Sequence, residues 1–210
     1  ELDTIYLPTD IKKDMIDDLV LFFNREKIYL KYGIPYKRNY LFEGLHGTGK
    51  TSFIYSLASH FNMDIAIINF NMELDDGSFM KAVSKIPKNT FLILEDIDSL
   101  FIERKIGVKT MVTFSGILNI LDGIARKNGQ VSFLTANHVC KLDKALIRPG
   151  RIDKKLHFSW AKKKEIKKIF DTFFPKREEL WLEFNKKIKK MKITIACLQS
   201  FFFSNMYCVM

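Results

Sequence analysis

The stretch "NYLFEGLHGTGKTSF", residues 39–53, joins an apolar run to a glycine-broken turn and then to a helical pattern. The run "NYLFE" is typical of a buried β-strand, and the residues from Lys50 onward favour a helix. Between them, "GLHGTGKT" matches G-x-x-x-x-G-K-[ST], with the strand before it and the helix after it that this pattern requires. The stretch therefore predicts a turn that binds phosphate groups.

Phosphate binding by this turn would depend on its backbone and on two side chains. Glycine lets the chain curl so that successive N–H groups point inward, and the helix start adds unpaired donors and a positive dipole end. Lys50 can then reach the β- and γ-phosphates of a bound nucleotide, while the Thr51 hydroxyl can ligate Mg²⁺. A chance glycine turn is the alternative, expected in about one chain in a hundred of average composition. The predicted nucleotide-binding residues are Gly44, Leu45, His46, Gly47, Thr48, Gly49, Lys50, Thr51 and Ser52.

Four more runs rich in β-branched and aromatic residues follow the first, and helical patterns separate them. Alternating strands and helices predict a parallel sheet of five strands covered on both faces, an α/β fold. After Trp160 the strand pattern fades and charged helical sequence follows, so we predict an α/β domain at 1–159 and a small helical subdomain at 160–210. The predicted strands are 39–43, 64–70, 90–96, 131–137 and 154–160, and the helical patterns between them include 50–60, 78–86 and 112–125.

Two carboxylates end the third predicted strand, in "FLILEDIDSL" at 91–100. Glu95 and Asp96 would lie at the carboxyl edge of the sheet, where ligands bind in folds of this kind. One carboxylate can hold Mg²⁺ through its water shell, and the other can orient or deprotonate a water molecule. The alternative is that the pair caps the helix that follows.

Two other patterns add polar groups that suit a phosphate. Asn137 ends the strand in "SFLTANH", and its amide could hold a water beside a γ-phosphate, although a strand-end asparagine is also common without function. In "LIRPGRID", Arg148 and Arg151 flank a Pro-Gly turn, and a guanidinium binds phosphate in a planar fork. Only 7 of the 34 basic residues are Arg, which makes the pair informative, and a surface salt-bridge turn is the alternative.

The formal net charge of +10 is unevenly distributed. Residues 160–192 hold 12 basic and 5 acidic side chains, and a surface of that charge can bind nucleic acid or anionic lipid. Apolar residues recur at helical spacing among these lysines, so we favour the solvated face of an amphipathic helix. The recurring apolar residues are Ile166, Phe170, Phe173 and Phe174.

Cysteine usage and hydropathy bound the location of the chain. The three cysteines are far apart and have no C-x-x-C spacing, which argues against a disulfide scaffold or a zinc site and favours a reducing intracellular compartment. No apolar run reaches the length of about 18 residues that crosses a bilayer. The first residue is Glu1, so we interpret the sequence as a piece or processed form of a longer protein. Any membrane association would then depend on a segment outside these residues.

Four sequence elements, in this order and spacing, resemble those of the AAA+ ATPases. They are the glycine turn, the acidic pair, the strand-end asparagine and the arginine pair. Within that group, "GIPYKRNYLFEGLHGTGKTSF", "FLILEDIDSLF", "VTFSGILNILDGIA" and "LDKALIRPGRID" are similar to the Bcs-type AAA family of mitochondrial chaperones. The order of Glu95 and Asp96 is a mark of that subfamily, since most AAA+ proteins have Asp before Glu. The resemblance covers the chain from about Thr4 to about Met206.

The resemblance implies a P-loop AAA+ core with a helical lid, the name used below for the C-terminal subdomain. It implies that Lys50 and Thr51 bind phosphate and Mg²⁺, that Glu95 and Thr51 hold the metal, that Asp96 is the catalytic carboxylate and that Asn137 is a sensor of the γ-phosphate. The cofactors implied are ATP and Mg²⁺.

The resemblance also implies a homo-oligomeric ring with ATP at each subunit boundary. Arg148 and Arg151 would reach the neighbouring subunit's site as arginine fingers. A location at the mitochondrial inner membrane would apply if the full-length protein follows the family.

Two departures from the family pattern bear on function. Leu45 and His46 stand where the family has Pro-Pro, at positions that contribute backbone, so we expect nucleotide binding to survive. The segment "NMELDDGSF" at 71–79 lacks the aromatic-aliphatic-glycine loop of peptide-threading machines, and this weakens any expectation of threading. We predict an Mg-ATP-dependent ATPase that remodels or translocates a protein client not identified by the sequence. The alternatives are a nucleic-acid-processing AAA+ protein and a nucleotide-binding scaffold.

Overall fold

The fold is built on five parallel strands in the order β2-β3-β4-β1-β5. The structure is a computed structural model that describes residues 2–70, 74–100, 111–124, 126–189 and 191–206. Residues 71–73 of the segment compared above with threading loops, and residue 125 of the predicted helix 112–125, lie outside these ranges. The strands are Lys37–Gly44 (β1), Asp64–Ile68 (β2), Thr90–Leu94 (β3), Gln130–Ala136 (β4) and Lys154–Phe158 (β5).

The predicted five-stranded parallel α/β fold is confirmed, and the strand ends differ in one consistent way. Four predicted strands extend one or two residues too far at the carboxyl end. There the chain leaves the hydrogen-bonded ladder, and Glu95, Asp96 and Asn137 follow their strands instead of ending them. The side chains predicted to bind a ligand therefore lie in the loops above the sheet edge.

Eight helices of the described ranges surround the sheet or form the lid. Helix α3 begins at Lys50 as predicted, whereas α5 ends earlier than the predicted segment 112–125, at Asp122, where Gly123 takes a left-handed φ of 101°. Helices α1 and α2 precede the first strand, where we predicted no element. The helices are Thr9–Phe23 (α1), Glu26–Lys31 (α2), Lys50–His60 (α3), Asp76–Lys85 (α4), Phe114–Asp122 (α5), Lys163–Phe173 (α6), Glu178–Ile188 (α7) and Ile195–Asn205 (α8).

Each face of the sheet carries its own apolar core. Because side chains alternate along a strand, Tyr40 and Phe42 of β1 face α1 and α3, while Leu41 faces α4 and α5. Tyr40 is fully buried, and its hydroxyl donates a 2.6 Å hydrogen bond to the Asp18 carboxylate of α1. Both faces of β1 are therefore fixed, and so is the position of the loop that follows it.

The lid helices α6, α7 and α8 pack around a third apolar cluster. Ile166, Phe170 and Phe174 are buried in it and Phe173 is partly buried, which confirms the amphipathic pattern. The lysines of α6 lie on the outer side, where Lys167 pairs with Asp171 and Glu178. The domain boundary near residue 160 stays a prediction. Within the described ranges, no helix is long and apolar enough to span a membrane.

Candidate active site

The glycine turn connects β1 directly to α3 and has the backbone shape that its sequence predicts. Gly44, Gly47 and Gly49 have φ values of 135°, 72° and 94°, which L side chains rarely adopt. At Gly44 a Cβ atom would also overlap the carbonyl oxygen of Phe158 on β5. The carbonyl oxygen of Gly47 accepts a 3.0 Å hydrogen bond from the Ala196 N–H of α8, so the lid packs against the turn.

Lys50 is buried inside the turn and donates to three oxygens. Its ammonium group lies 2.8 Å from the Gly44 carbonyl oxygen, 2.9 Å from that of Leu45 and 2.7 Å from Asn137 Oδ1. Burial lowers the pKa of Lys50, and the charges of Asp96 and Asp98 oppose that shift. No carboxylate within the described ranges forms an ion pair with Lys50. A phosphate would supply the anionic partner that this buried cation lacks.

The two carboxylates and the asparagine meet at the same place. The Thr51 hydroxyl donates a 2.9 Å hydrogen bond to Glu95 Oε1, and Asn137 Nδ2 donates a 2.8 Å bond to Asp96 Oδ1. Together these residues border a cavity of about 330 Å³. The cavity is lined by His46, Gly47, Gly49, Lys50, Thr51, Ser52, Glu95, Asp96, Thr135 and Asn137. Of the remaining predicted residues, Gly44, Leu45 and Thr48 are in the turn but do not line the cavity, and Arg148 and Arg151 lie elsewhere.

The oxygens of Thr51 and Glu95 fit Mg²⁺ in the way that nucleotide sites do. Mg²⁺ prefers oxygen ligands, and in such sites it takes one or two from the protein and the rest from phosphates and water. Within the described ranges, no group of three or more His, Cys, Asp and Glu side chains could hold a metal ion without such help. The residues present therefore fit a metal that arrives with a nucleotide.

Two residues that the sequence analysis did not single out hold the catalytic candidates in place. The Thr135 hydroxyl accepts a 2.9 Å hydrogen bond from the Asp96 N–H, and Asp96 has a left-handed φ of 46°. The buried Asp98 carboxylate accepts from the N–H groups of Asn137 at 3.2 Å and His138 at 2.9 Å. Asp98 lies in the quoted "EDID", so its position after the apolar strand was the available signal.

A second cavity, of about 310 Å³, lies on the other side of the turn and shares Gly47, Gly49 and Ser52 with the first. It is closed by the N-terminal residues 4–7 and by the first turns of lid helix α8. The two cavities are therefore neighbours along the glycine turn. No sequence motif indicates these residues, because they meet only when the lid folds onto the turn.

The two arginines of the Pro-Gly turn have different surroundings. Arg151 is buried, and its guanidinium forms two 2.8 Å bonds with the carboxylate of Asp122 and one of 2.9 Å with the Ala145 carbonyl oxygen. These contacts match the salt-bridge turn, the alternative to a phosphate-binding turn. Arg148 is exposed, and its side chain forms no hydrogen bond or ion pair with a described residue. A role for either arginine in a neighbouring site stays a prediction, and the contacts of Arg151 favour a structural part.

The arginine turn, residues 148–151, lies at the opposite end of β1 from the glycine turn. The Asp153 N–H donates to the Asn39 carbonyl oxygen at the amino end of β1, and Gly44 pairs with Phe158 at the carboxyl end. Asn39 and Gly44 are separated by about 16 Å along the strand, given a rise of about 3.3 Å per residue. The arginine turn is therefore far from the glycine turn of the same chain.

The pair of Asp122 and Arg151 predicts a pH dependence of stability. The hydrogen bonds from Arg151 lower the pKa of Asp122 below its ordinary value of 3.8. Because the pKa of Asp122 is lower in the folded state, the pair stabilises the fold at pH values above the ordinary pKa. This stabilisation is lost as the pH falls through the pKa that Asp122 has in the folded state. Asp122→Asn is expected to lower the melting temperature by about 2–4 °C at pH 7, as a partly exposed pair worth about 1 kcal/mol would.

Thermal unfolding of Asp122→Asn and wild type from pH 7 to pH 3 measures this effect. The difference between their melting temperatures is expected to shrink below a pH of about 4. Asp143→Asn is the control, because among the described residues the Asp143 carboxylate accepts only from the nearby Ala145 N–H, a bond that an amide oxygen can keep. If the melting temperatures of Asp122→Asn and wild type differ by the same amount at every pH in this range, the pair of Asp122 and Arg151 does not cause the pH dependence.

A parallel sheet of this order, with a glycine turn after β1, an acidic pair after β3 and a polar residue after β4, defines a P-loop nucleoside triphosphatase fold. Residues 40–160 match the model of the ATPase family associated with various cellular activities (AAA), which is more than half of the chain. The chain belongs to this AAA family.

Several curated relatives are named as mitochondrial chaperones. The chain is 35% identical to the probable mitochondrial chaperone bcs1 of Schizosaccharomyces pombe, over 97% of the chain and 46% of that protein. It is 34% identical to the probable mitochondrial chaperone BCS1-A of Dictyostelium discoideum, over 95% of the chain and 50% of that protein. It is 35% identical to the human mitochondrial chaperone BCS1, over 83% of the chain and 44% of that protein. The predicted resemblance to the Bcs-type AAA family is confirmed. The chain spans about half of the length of these relatives.

Proposed function

We propose that this chain is the motor of an Mg-ATP-dependent ATPase that remodels or translocates a protein client. The observation that supports it most is that one cavity beside the glycine turn is bordered by residues from three separate stretches of the chain, namely Lys50 and Thr51, Glu95 and Asp96, and Asn137. AAA membership supports ATP as the ligand, and the chaperone names of the relatives support a protein client.

In the proposed mechanism, the inward N–H groups of residues 44–51 and Lys50 bind the phosphates of ATP. Thr51 and Glu95 would hold Mg²⁺, which would neutralise phosphate charge when bound. Asp96 takes a proton from the attacking water. Asn137, which contacts both Lys50 and Asp96, orients that water against the γ-phosphate.

The proposed assembly is a homo-oligomeric ring in which Arg148 completes the neighbour's site. Its exposed side chain and its place at the far end of β1 support action between subunits. Arg151 fixes the turn that carries Arg148. Charge developing on the γ-phosphate needs a cation beyond Lys50, and a guanidinium from the next subunit would supply it.

We propose a mitochondrial location from the names of the relatives, with any membrane attachment through a segment outside these residues. Nucleic acid is not favoured as a partner. Lys167 in the basic stretch 160–192 pairs with acidic neighbours, and the apolar side of that stretch is used for lid packing.

Lys50→Ala tests the nucleotide site. It removes the cation predicted to touch the phosphates, so affinity for ATP is expected to fall about 10- to 100-fold, as loss of a charge-assisted hydrogen bond would give. Titration with a fluorescent ATP analogue in the presence of Mg²⁺ measures this affinity. His60→Ala, at the exposed opposite end of α3, is the control and is expected to bind as wild type does. Equal affinity in Lys50→Ala and His60→Ala would place the nucleotide elsewhere.

A further inference from the structure

Asn39 is a fully buried polar residue inside strand β1, a position where asparagine is uncommon. Its side-chain amide donates to the Arg151 carbonyl oxygen at 2.6 Å and to the Leu121 carbonyl oxygen at 3.1 Å. Its side-chain oxygen accepts a 2.7 Å hydrogen bond from Arg126. A buried amide with both functions paired stabilises one arrangement of its partners, because any shift leaves an unpaired polar group.

The partners of Asn39 surround the arginine turn. Arg151 is in the turn, and Leu121 precedes Asp122, the residue that pairs with the Arg151 guanidinium. After the turn, Asp153 and Asn39 exchange two hydrogen bonds, a 2.7 Å bond from the Asn39 N–H to the Asp153 carboxylate and a 2.9 Å bond from the Asp153 N–H to the Asn39 carbonyl oxygen. The turn is thus held at its last residue and just beyond it.

A second side chain of β1 supports the same turn. The Lys37 ammonium donates to the Gly150 carbonyl oxygen at 2.9 Å, and it also contacts the carbonyl oxygen of Leu121. Lys37 and Asn39 are two residues apart and therefore lie on the same face of the strand. Side chains from the strand that leads into the glycine turn thus fix the backbone of the arginine turn.

We infer that Asn39 is a positioning residue that orients Arg148 toward the nucleotide of the neighbouring subunit and does not serve the nucleotide of its own chain. The inference deepens the proposed function and depends on it. The Arg148 side chain forms no hydrogen bond or ion pair with a described residue, although its charge acts on Asp122, so its position depends mainly on the backbone of the turn that Asn39 holds. Misplacement of a reacting group by about 1 Å can cost about 100-fold in rate.

Asn39→Asp is the sharpest variant, because it keeps the shape and the acceptor for Arg126 while removing both donated hydrogen bonds. The ATPase rate of the assembled protein is expected to fall about 10- to 100-fold, with ATP affinity within about twofold of wild type. Tyr40→Phe is the matched control. It alters the next residue of β1, equally buried, and removes one hydrogen bond on the opposite face, so the ATPase rate is expected to stay near wild type.

Mixed assemblies separate a positioning role from a general structural one. An Asn39→Asp subunit would keep its own nucleotide site and misplace its arginine, so mixing it with Lys50→Ala subunits should raise ATPase activity above the weighted sum of the two. Mixing it with Arg148→Ala subunits should give no rise, since no boundary then has a well-placed arginine. The reverse pattern, a rise only with Arg148→Ala, overturns the inference and assigns Asn39 to its own nucleotide site.

A mixture of Lys50→Ala and Arg148→Ala subunits tests the proposed function by itself. Suppose that ATPase activity rises in this mixture but Asn39→Asp is rescued only by Arg148→Ala subunits. That result contradicts the inference about Asn39 and leaves the proposed function intact. If activity does not rise in this mixture, both the proposed action between subunits and the inference are wrong. If Asn39→Asp fails to fold, Lys37→Met replaces it in the same mixtures. That variant removes the bonds to Gly150 and Leu121 from a residue that is less buried. Lys37→Met is expected to lower the ATPase rate less than Asn39→Asp and to be rescued by Lys50→Ala subunits but not by Arg148→Ala subunits. Any other pattern of rescue overturns the inference.

Discussion

Asp96→Asn is expected to lower the single-turnover rate of ATP hydrolysis by about 10²–10⁴, the usual contribution of a general base. The amide keeps the shape of the side chain and keeps an oxygen for the bond from Asn137 Nδ2. It cannot take a proton from the attacking water. The variant should therefore bind Mg-ATP as wild type does and hold it without turning it over, which quenched-flow measurements with excess enzyme would detect.

Glu95→Gln is the matched variant for the neighbouring carboxylate. Glu95 accepts from the Thr51 hydroxyl, so the change is expected to weaken Mg²⁺-dependent ATP binding more than it slows hydrolysis of bound ATP. The two variants thus separate the base from the metal ligand. Hydrolysis by Asp96→Asn at the wild-type rate would refute the assignment, and a larger loss of the chemical step in Glu95→Gln would exchange the two roles.

The parts of the site that the sequence predicted are those coded by short stretches. The turn at 44–51 needs glycines at fixed spacing before a helix, and Glu95 and Asp96 follow an apolar strand directly, so each is visible in about ten residues. Strand order then determines that they meet, because the carboxyl ends of parallel strands share one edge. The contacts of Lys50 with Asn137 and of Thr51 with Glu95 agree with this expectation.

The parts that the sequence did not predict depend on contacts between distant residues. Asp122 and Arg151 are 29 positions apart, and Asn39 and Arg151 are 112 apart. Nothing in "LIRPGRID" distinguishes an arginine buried against Asp122 from one exposed to a neighbour. The second cavity likewise depends on the docking of residues 4–7 and α8 onto the turn, and this tertiary packing carries no local pattern.

The largest expected effect in the molecule is that of Arg148→Ala, which should lower the ATPase rate of the assembled protein by about 10³–10⁵, the range for a single arginine finger. Stability should hardly change, because Arg148 is exposed and its side chain forms no hydrogen bond or ion pair with a described residue. Arg151→Ala should instead lower the melting temperature, because it removes the buried end of the Asp122 pair. Thermal unfolding and steady-state ATPase assays of both variants separate the two roles.

Mixing experiments decide whether the loss arises between subunits. Lys50→Ala subunits lack a working nucleotide site but keep Arg148, and Arg148→Ala subunits have the opposite defect. Asn39, which holds the arginine turn, is about 16 Å along β1 from Gly44 of the glycine turn, so in the proposed assembly the two intact halves come from different subunits. A mixture can bring them together at some boundaries. ATPase activity measured across mixing ratios, after sedimentation has established that subunits exchange, is therefore expected to exceed the weighted sum and to peak near equal amounts. If activity follows the weighted sum at every ratio, Arg148 acts within its own chain or not at all, and the boundary site is wrong.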